Sequence, residues 1–310
     1  MGQAVLVRGG VAIAALIVLT AQRAPDSPTI KTVRVKGAEL SYVEQGRGDP
    51  VILIHGALHD YRSWSAQWPE LSKRFRVIAY SQRYNHPNAP VADGSQFSVD
   101  IFAADLAALI ETLSLAPTHL VGHSRGANIA LRVARDHPAL VRSVVLGEGG
   151  SAAILALSPE FKALPPDTPG QQGREAFRRG DIESAARILA ENVTGTKGVY
   201  DQLPPAQRRM MLDNIPREWG VQSAAPPATS GSPQFMCDDA RQIKVPTLII
   251  MGERTITRNR LMTDELRKCM PGSEYAVLPA ATHALQLENP SGFNKIVVEF
   301  LARQSKSGQR

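Results

Sequence analysis

Cysteine is scarce in this 310-residue chain: Cys237 and Cys269 are the only two, and no C-x-x-C pair occurs. That scarcity excludes a zinc ribbon or a dithiol redox centre. One disulfide and two separate thiols both stay open, because sequence does not set the distance between them. Aromatic residues make up only 5%, too few for a platform that stacks single-stranded nucleic acid. Long runs of one charge are also missing. The formal net charge is +6, yet Arg178-Arg179 and Arg208-Arg209 are isolated basic pairs. The surplus therefore reads as solubilising surface charge, and no nucleic-acid partner is expected. The sequence has no phosphate-cradling glycine loop and no run of metal-ligand spacing, so neither cofactor nor metal is expected. What remains, 43% hydrophobic and 21% charged residues, is ordinary for a globular protein with one large domain or one domain carrying an insertion.

Only one long apolar run exists, Val11–Leu19 (VAIAALIVL). It follows a start with a single basic residue, Arg8, and precedes the turn-prone Arg23-Ala-Pro-Asp-Ser-Pro. This is the pattern of an export leader over residues 1–28, and the run is short for a membrane span. Leu19-Thr20-Ala21 lacks the small residue wanted at a cleavage site. A retained membrane tether and an early-assigned start codon are thus the competing readings. The expectation is a periplasmic, secreted or membrane-tethered protein.

From Val33 onward strands alternate with helices. A hairpin is expected around Lys36-Gly37, then strands at Val51–Ile54, Val77–Tyr80, His119–Val121, Ser143–Leu146, Thr247–Met251 and Glu274–Leu278. Helices are expected over Trp64–Phe75, after the cap Ser98, over Gly126–Asp136, Arg258–Cys269 and Ser291–Arg303. Such alternation implies an α/β fold, a mostly parallel sheet covered by helices on both faces. Between Gly149 and Arg241 the rhythm breaks into Pro-rich turns and amphipathic pieces, among them Asp181–Asn192 and Ala206–Asn214. We read residues 149–241 as a helical cap inserted into a core made of 29–148 and 242–310. The apolar Ile154, Leu155, Leu157, Phe161 and Leu164 either line a pocket or form the cap's own core.

Gly122-His123-Ser124-Arg125-Gly126 stands between an expected strand and an expected helix. This is the context in which G-x-S-x-G makes a tight turn that exposes its serine at the carboxyl edge of the sheet. The helix that follows directs its free amides and positive end toward the serine, where an oxyanion would form. His283, in Pro279-Ala-Ala-Thr-His-Ala-Leu, lies between the last expected strand and the last helix.

On these motifs, and on His55-Gly56 closing the Val51–Ile54 strand, the chain from about Val33 to its C-terminus resembles the α/β-hydrolase family. The resemblance implies Ser124 as nucleophile, His283 as general base, and the amides of Ala57 and Arg125 as oxyanion hole. His55 and His123 read as bracing histidines, and His59 as a lining of the substrate pocket. The chain departs from the family at the acid. Where the family usually has G-x-x-D after the strand corresponding to Thr247–Met251, Gly252-Glu253-Arg254-Thr255 offers a threonine. Some members carry the acid after the strand that follows the nucleophile helix, and Glu148 stands there; Glu253 and a carboxylate elsewhere remain alternatives. The segment Ser81–Pro87 replaces the family's D-x-x-G-x-G loop. The implied activity is hydrolysis of a carboxylic ester, thioester or lactone of a small molecule through an acyl-enzyme. Carbon–carbon hydrolysis of a diketone, as in meta-cleavage hydrolases, and a low-turnover ligand-binding member are the alternatives. The serine disfavours the aspartate-nucleophile relatives. Oligomeric state is not readable.

Overall fold

A computed structural model describes residues 28–91, 93–164, 168–224 and 234–307. The apolar run of the expected leader lies outside them. Among the described residues no helix is long and apolar enough to cross a membrane.

The chain forms eight strands, aliphatic-rich in the centre and more polar at the β1–β2 edge: β1 (Lys31–Val35), β2 (Ala38–Gln45), β3 (Pro50–Ile54), β4 (Arg76–Tyr80), β5 (Thr118–His123), β6 (Val141–Gly147), β7 (Thr247–Gly252) and β8 (Glu274–Leu278). They form one sheet in the order β1-β2-β4-β3-β5-β6-β7-β8. The steps β1–β2 and β2–β4 are antiparallel, and every later step is parallel. The hairpin turns at Lys36-Gly37, where both residues take positive φ, as a two-residue connection matched to strand twist requires.

Side-chain parity along the strands assigns the two cores. Ile52 and Ile54 of β3, with Leu120 and Leu146, face helices α1 (Val99–Thr112) and α2 (Arg125–Asp136). Val51 and Leu53, with Val121 and Val145, face the opposite layer, where Phe293, Val297 and Phe300 of the C-terminal helix pack beside Trp64. All four residues of Val51–Ile54 are fully buried, as expected of a strand covered on both sides. Ser98 caps α1 by accepting the Ile101 amide at 3.2 Å.

One expected helix is corrected. Trp64–Phe75 is two short turns, Tyr61–Trp64 and Trp68–Leu71, with Pro69 in the first turn of the second. Proline has no amide to donate and suits only the start of a helix, so the chain restarts there.

Residues between β6 and β7 hold helices and, among the described residues, no strand: chiefly α3 (Thr168–Arg178), α4 (Ile182–Thr194), α5 (Pro205–Ala224) and α6 (Cys237–Gln242). Asp181 caps α4 at its start and Gly195, left-handed, ends it, the usual division of labour between a polar side chain and a glycine. Helix α5 outruns its expected end at Asn214 and continues through Pro216. Small residues Ala176, Ala185, Ala186 and Ala190 let α3 and α4 approach closely around Tyr200, Ile215 and Trp219. Cys237 and Cys269 are disulfide-bonded, tying α6 to α7 (Thr257–Cys269) and closing the choice left open above. The last helix among the described residues is α8 (Pro290–Ser307).

Candidate active site

The carboxyl ends of the parallel strands β3, β5, β6, β7 and β8 converge on one place, where such sheets bind their ligands. Ser124 leaves β5 at φ 53° and ψ −118° and is the residue before α2. Its amide donates to the Gly147 carbonyl at 2.8 Å, which fixes the turn against β6. The two flanking glycines are steric requirements. A Cβ on Gly126 would stand 2.0 Å from the Ile54 carbonyl oxygen, and one on Gly122 would stand 2.4 Å from that of Gly126. A left-handed serine costs on the order of 1–3 kcal/mol and persists only because the surrounding packing enforces it.

His283, on the loop after β8, meets Glu148 at the end of β6: Nδ1 and Oε2 are 2.7 Å apart. With the carboxylate accepting, Nδ1 carries the proton and Nε2 is left as the basic nitrogen. Glu148 is buried and itself left-handed, at φ 46°. Burial of its charge is offset by donors: the Gly252 amide at 2.8 Å on Oε1, and Thr255 Oγ1 at 2.8 Å and Asn259 Nδ2 at 3.2 Å on Oε2. Thr255, the residue at the family's usual acid position, thus donates to the carboxylate from the neighbouring strand. Glu253 is exposed and accepts the Ala280 amide at 2.8 Å, away from the imidazole. His123 is buried, and burial with the nearby His283 holds its pKa well below the ordinary histidine value. Neutral, it donates Nε2–H to the His283 carbonyl at 2.7 Å and so pins that loop.

Opposite, the β3 strand ends in His55-Gly56-Ala57. A Cβ on Gly56 would come 3.3 Å from Ser124 Cβ, so glycine lets this loop run tight beside the serine. His55 donates Nδ1–H to the Gly56 carbonyl at 2.8 Å and accepts the Gln82 amide on Nε2 at 2.9 Å. Burial keeps it neutral. Among the described residues, no carbonyl accepts from the amides of Ala57 or Arg125. The first amides of a helix have no intrahelical partner, and Arg125 opens α2.

A family model described as alpha/beta hydrolase fold matches residues 49–290. The chain belongs to the α/β-hydrolase fold family. One relative of this α/β-hydrolase, the 2-hydroxy-6-oxo-2,4-heptadienoate hydrolase of Pseudomonas putida, is 27% identical over 289 residues, covering 88% of this chain and 96% of that one. Among solved structures, the enol-lactonase of Burkholderia xenovorans superposes with a TM-score of 0.70 at 22% identity, over 88% of this chain and all of that one. Carboxylesterase CesB of Bacillus subtilis does so with a TM-score of 0.68 at 22% identity, over 89% and 92%. At those identities the two structures show a shared fold.

This α/β-hydrolase has a cavity of about 310 Å³ between the convergent strand ends and helices α4 and α5. Its wall is mainly apolar, including Leu58, Val193, Leu203, Met210 and Leu287, with Ser124 and His283 at its floor. His59 is among its lining residues; burial lowers its pKa to about 4, and its buried Nδ1 has no partner among the described residues. A wider depression of about 810 Å³ opens on the other side of Ser124 and His283, beside Asn128, Phe161, Leu164 and Arg258. The other apolar residues of that stretch go elsewhere: Ile154 and Leu155 are buried, and Leu157 is exposed.

Two side chains absent from the sequence reading stand out. The Arg125 guanidinium forms a buried ion pair with Glu218 of α5, Nη1 to Oε2 at 2.5 Å and Nη2 to Oε1 at 2.8 Å. The Ser81–Pro87 segment supplies braces rather than a pocket wall: Gln82 Oε1 accepts from Arg125 Nε at 2.8 Å, and Asn85 donates to Glu218. In sequence Glu218 looks like any polar helical residue, since nothing there tells a buried polar stripe from a solvated one. Among the described residues no cluster of acidic, histidine or cysteine side chains is placed to hold a metal.

Proposed function

We propose that the protein is a serine hydrolase that cleaves carboxylic esters, thioesters or lactones of small, largely apolar molecules, with residues 149–241 as its cap. The carrying observation is the strained Ser124 sharing a cavity floor with a histidine whose other nitrogen is fixed by a buried carboxylate.

In this reading Nε2 of His283 takes the Ser124 hydroxyl proton as Oγ attacks the substrate carbonyl. The amides of Ala57 and Arg125 receive the oxyanion, and Glu148 stabilises the imidazolium. His283 then passes its proton to the leaving alcohol or thiol. Water repeats the sequence on the acyl-enzyme, releasing the acid and restoring Ser124. The mainly apolar cavity wall favours an apolar acyl or alkoxy group. Export, with the N-terminal segment removed or kept as a tether, belongs to the same proposal and is supported by the Cys237–Cys269 disulfide.

Carbon–carbon hydrolysis is the second reading, favoured by the likeness to the heptadienoate hydrolase. Two assays separate the readings: release of p-nitrophenol from short-chain esters, and loss of absorbance of a 2-hydroxy-6-oxo-dienoate. Intact mass after treatment with a fluorophosphonate tests the nucleophile. One adduct on wild type and none on Ser124→Ala is expected; no adduct on folded wild type overturns the serine-hydrolase reading in favour of a binding protein.

A further inference from the structure

Glu218 is 1% exposed, and its carboxylate takes four hydrogen bonds from two loops of the sheet edge and from the first residue of α2. Oε1 accepts from the Leu58 amide at 2.7 Å, Asn85 Nδ2 at 2.5 Å and Arg125 Nη2 at 2.8 Å; Oε2 accepts from Arg125 Nη1 at 2.5 Å. Two of these donors are immediate neighbours of the proposed oxyanion hole. Leu58 follows Ala57 and is held left-handed, at φ 59°, outside the regions of regular helix and strand. Its bond to Glu218 fixes the plane of the Ala57–Leu58 peptide, one step from the Ala57 amide. Arg125 supplies the second amide itself, and its side chain is further fixed by Gln82 and by lying over the Phe102 ring at 5.2 Å.

Docking of α5 does not depend on this contact alone. Arg62 joins buried Asp60 to Asp213, Asn214 donates to Asp60 at 2.7 Å, and Arg217 donates to the Asn88 carbonyl at 2.8 Å. Glu218 is thus one of several ties of α5, and its partners include Arg125, which supplies one of the two proposed amides, and Leu58, the residue after the other. An oxyanion hole works only if its donors are directed in advance at where charge develops.

We infer that Glu218 is a positioning residue for the oxyanion hole, a carboxylate carried by the cap that sets the direction of both amides through Leu58 and Arg125. The hole is thus completed by the cap and is not a property of the sheet edge alone. This role rests on the serine-hydrolase reading above.

The test compares an activated ester with its thiono analogue, in which C=S replaces C=O and the leaving group is unchanged. Sulfur accepts hydrogen bonds poorly, so the thiono ester draws little from the hole. Wild type, Glu218→Ala, Glu218→Gln and Asp213→Asn are assayed on both substrates. For Glu218→Ala the oxo-ester kcat should fall about 10²-fold, the scale of one lost oxyanion donor, with KM changed by less than about threefold. The thiono rate should fall far less, so the oxo/thiono ratio collapses. Glu218→Gln keeps an acceptor for Leu58 but not the charge, and should lie between; being isosteric, it carries the test if the alanine variant does not fold. Asp213→Asn, which removes a different tie of α5, should leave the ratio unchanged. Equal loss on both substrates, or a rise in KM alone, overturns the inference and makes Glu218 a plain anchor. Failure of wild type to turn over the oxo ester or to accept a fluorophosphonate overturns the serine-hydrolase reading and this role with it. An unchanged ratio in an active enzyme removes only the role of Glu218.

Discussion

Glu148 and Thr255 exchange the duties that the family pattern assigns: the carboxylate sits at the end of β6, and the position after β7 supplies a hydroxyl donor to it. Replacing Glu148 by Gln keeps the shape but not the charge that orients and stabilises the imidazolium. We expect kcat to fall by about 10³–10⁴-fold with little change in KM, measured on the best ester. Thr255→Val removes one donor from a buried carboxylate. It should cost about 1–3 kcal/mol in stability by urea melts, with a smaller loss of kcat than Glu148→Gln. The departure at Thr255 was legible in the sequence and pointed to Glu148, because a threonine cannot carry the compensating charge. That Thr255 stays in the network as a donor was not legible, since it depends on β6 and β7 lying side by side.

At the scale of elements, the helix and strand endings carry the site. Gly126→Ala would press a methyl group onto the Ile54 carbonyl, and we expect loss of folded protein or destabilisation beyond about 3 kcal/mol, read by thermal melts. The strands were legible because short runs rich in aliphatic residues and bounded by turns, Val51–Ile54 above all, have few other uses. The Trp64–Phe75 stretch was misread because its apolar spacing suits a helix while Pro69 restarts the backbone within it. The Glu218 braces were hidden for a different reason. They join residues 58, 85, 125 and 218, and no local pattern connects positions so far apart. The disulfide between α6 and α7 closes a loop of 32 residues; reducing it should destabilise the fold by about 3–4 kcal/mol on chain-entropy grounds, seen as a lower Tm in dithiothreitol.

For the molecule as a whole, buried histidines set the response to acid. His119, between Ser143 and Ser305, and His59 both have pKa values lowered to about 4 by burial. The unfolded chain titrates near 6.5, so between about pH 6.5 and 4 it binds more protons than the folded one. Stability is fully present above that window and declines as pH falls through it, with each such group adding up to about 1.4 kcal/mol per pH unit. Urea midpoints at pH 7.5, 5.5 and 4.5 should fall in that order, and His119→Gln should flatten the slope.

Glu148 directly precedes Gly149 and Gly150, the entrance to the helical insertion, while His283 lies beyond its exit. Gly149 has no room for a side chain beside Ala127, and Gly150 takes φ 152°, so that entrance is sterically fixed. A chimera that exchanges the insertion for a foreign one could keep Ser124, Glu148 and His283 untouched by splicing after Gly150. It would still lose Glu218, and any transplanted cap would have to bring a carboxylate of its own to the same point.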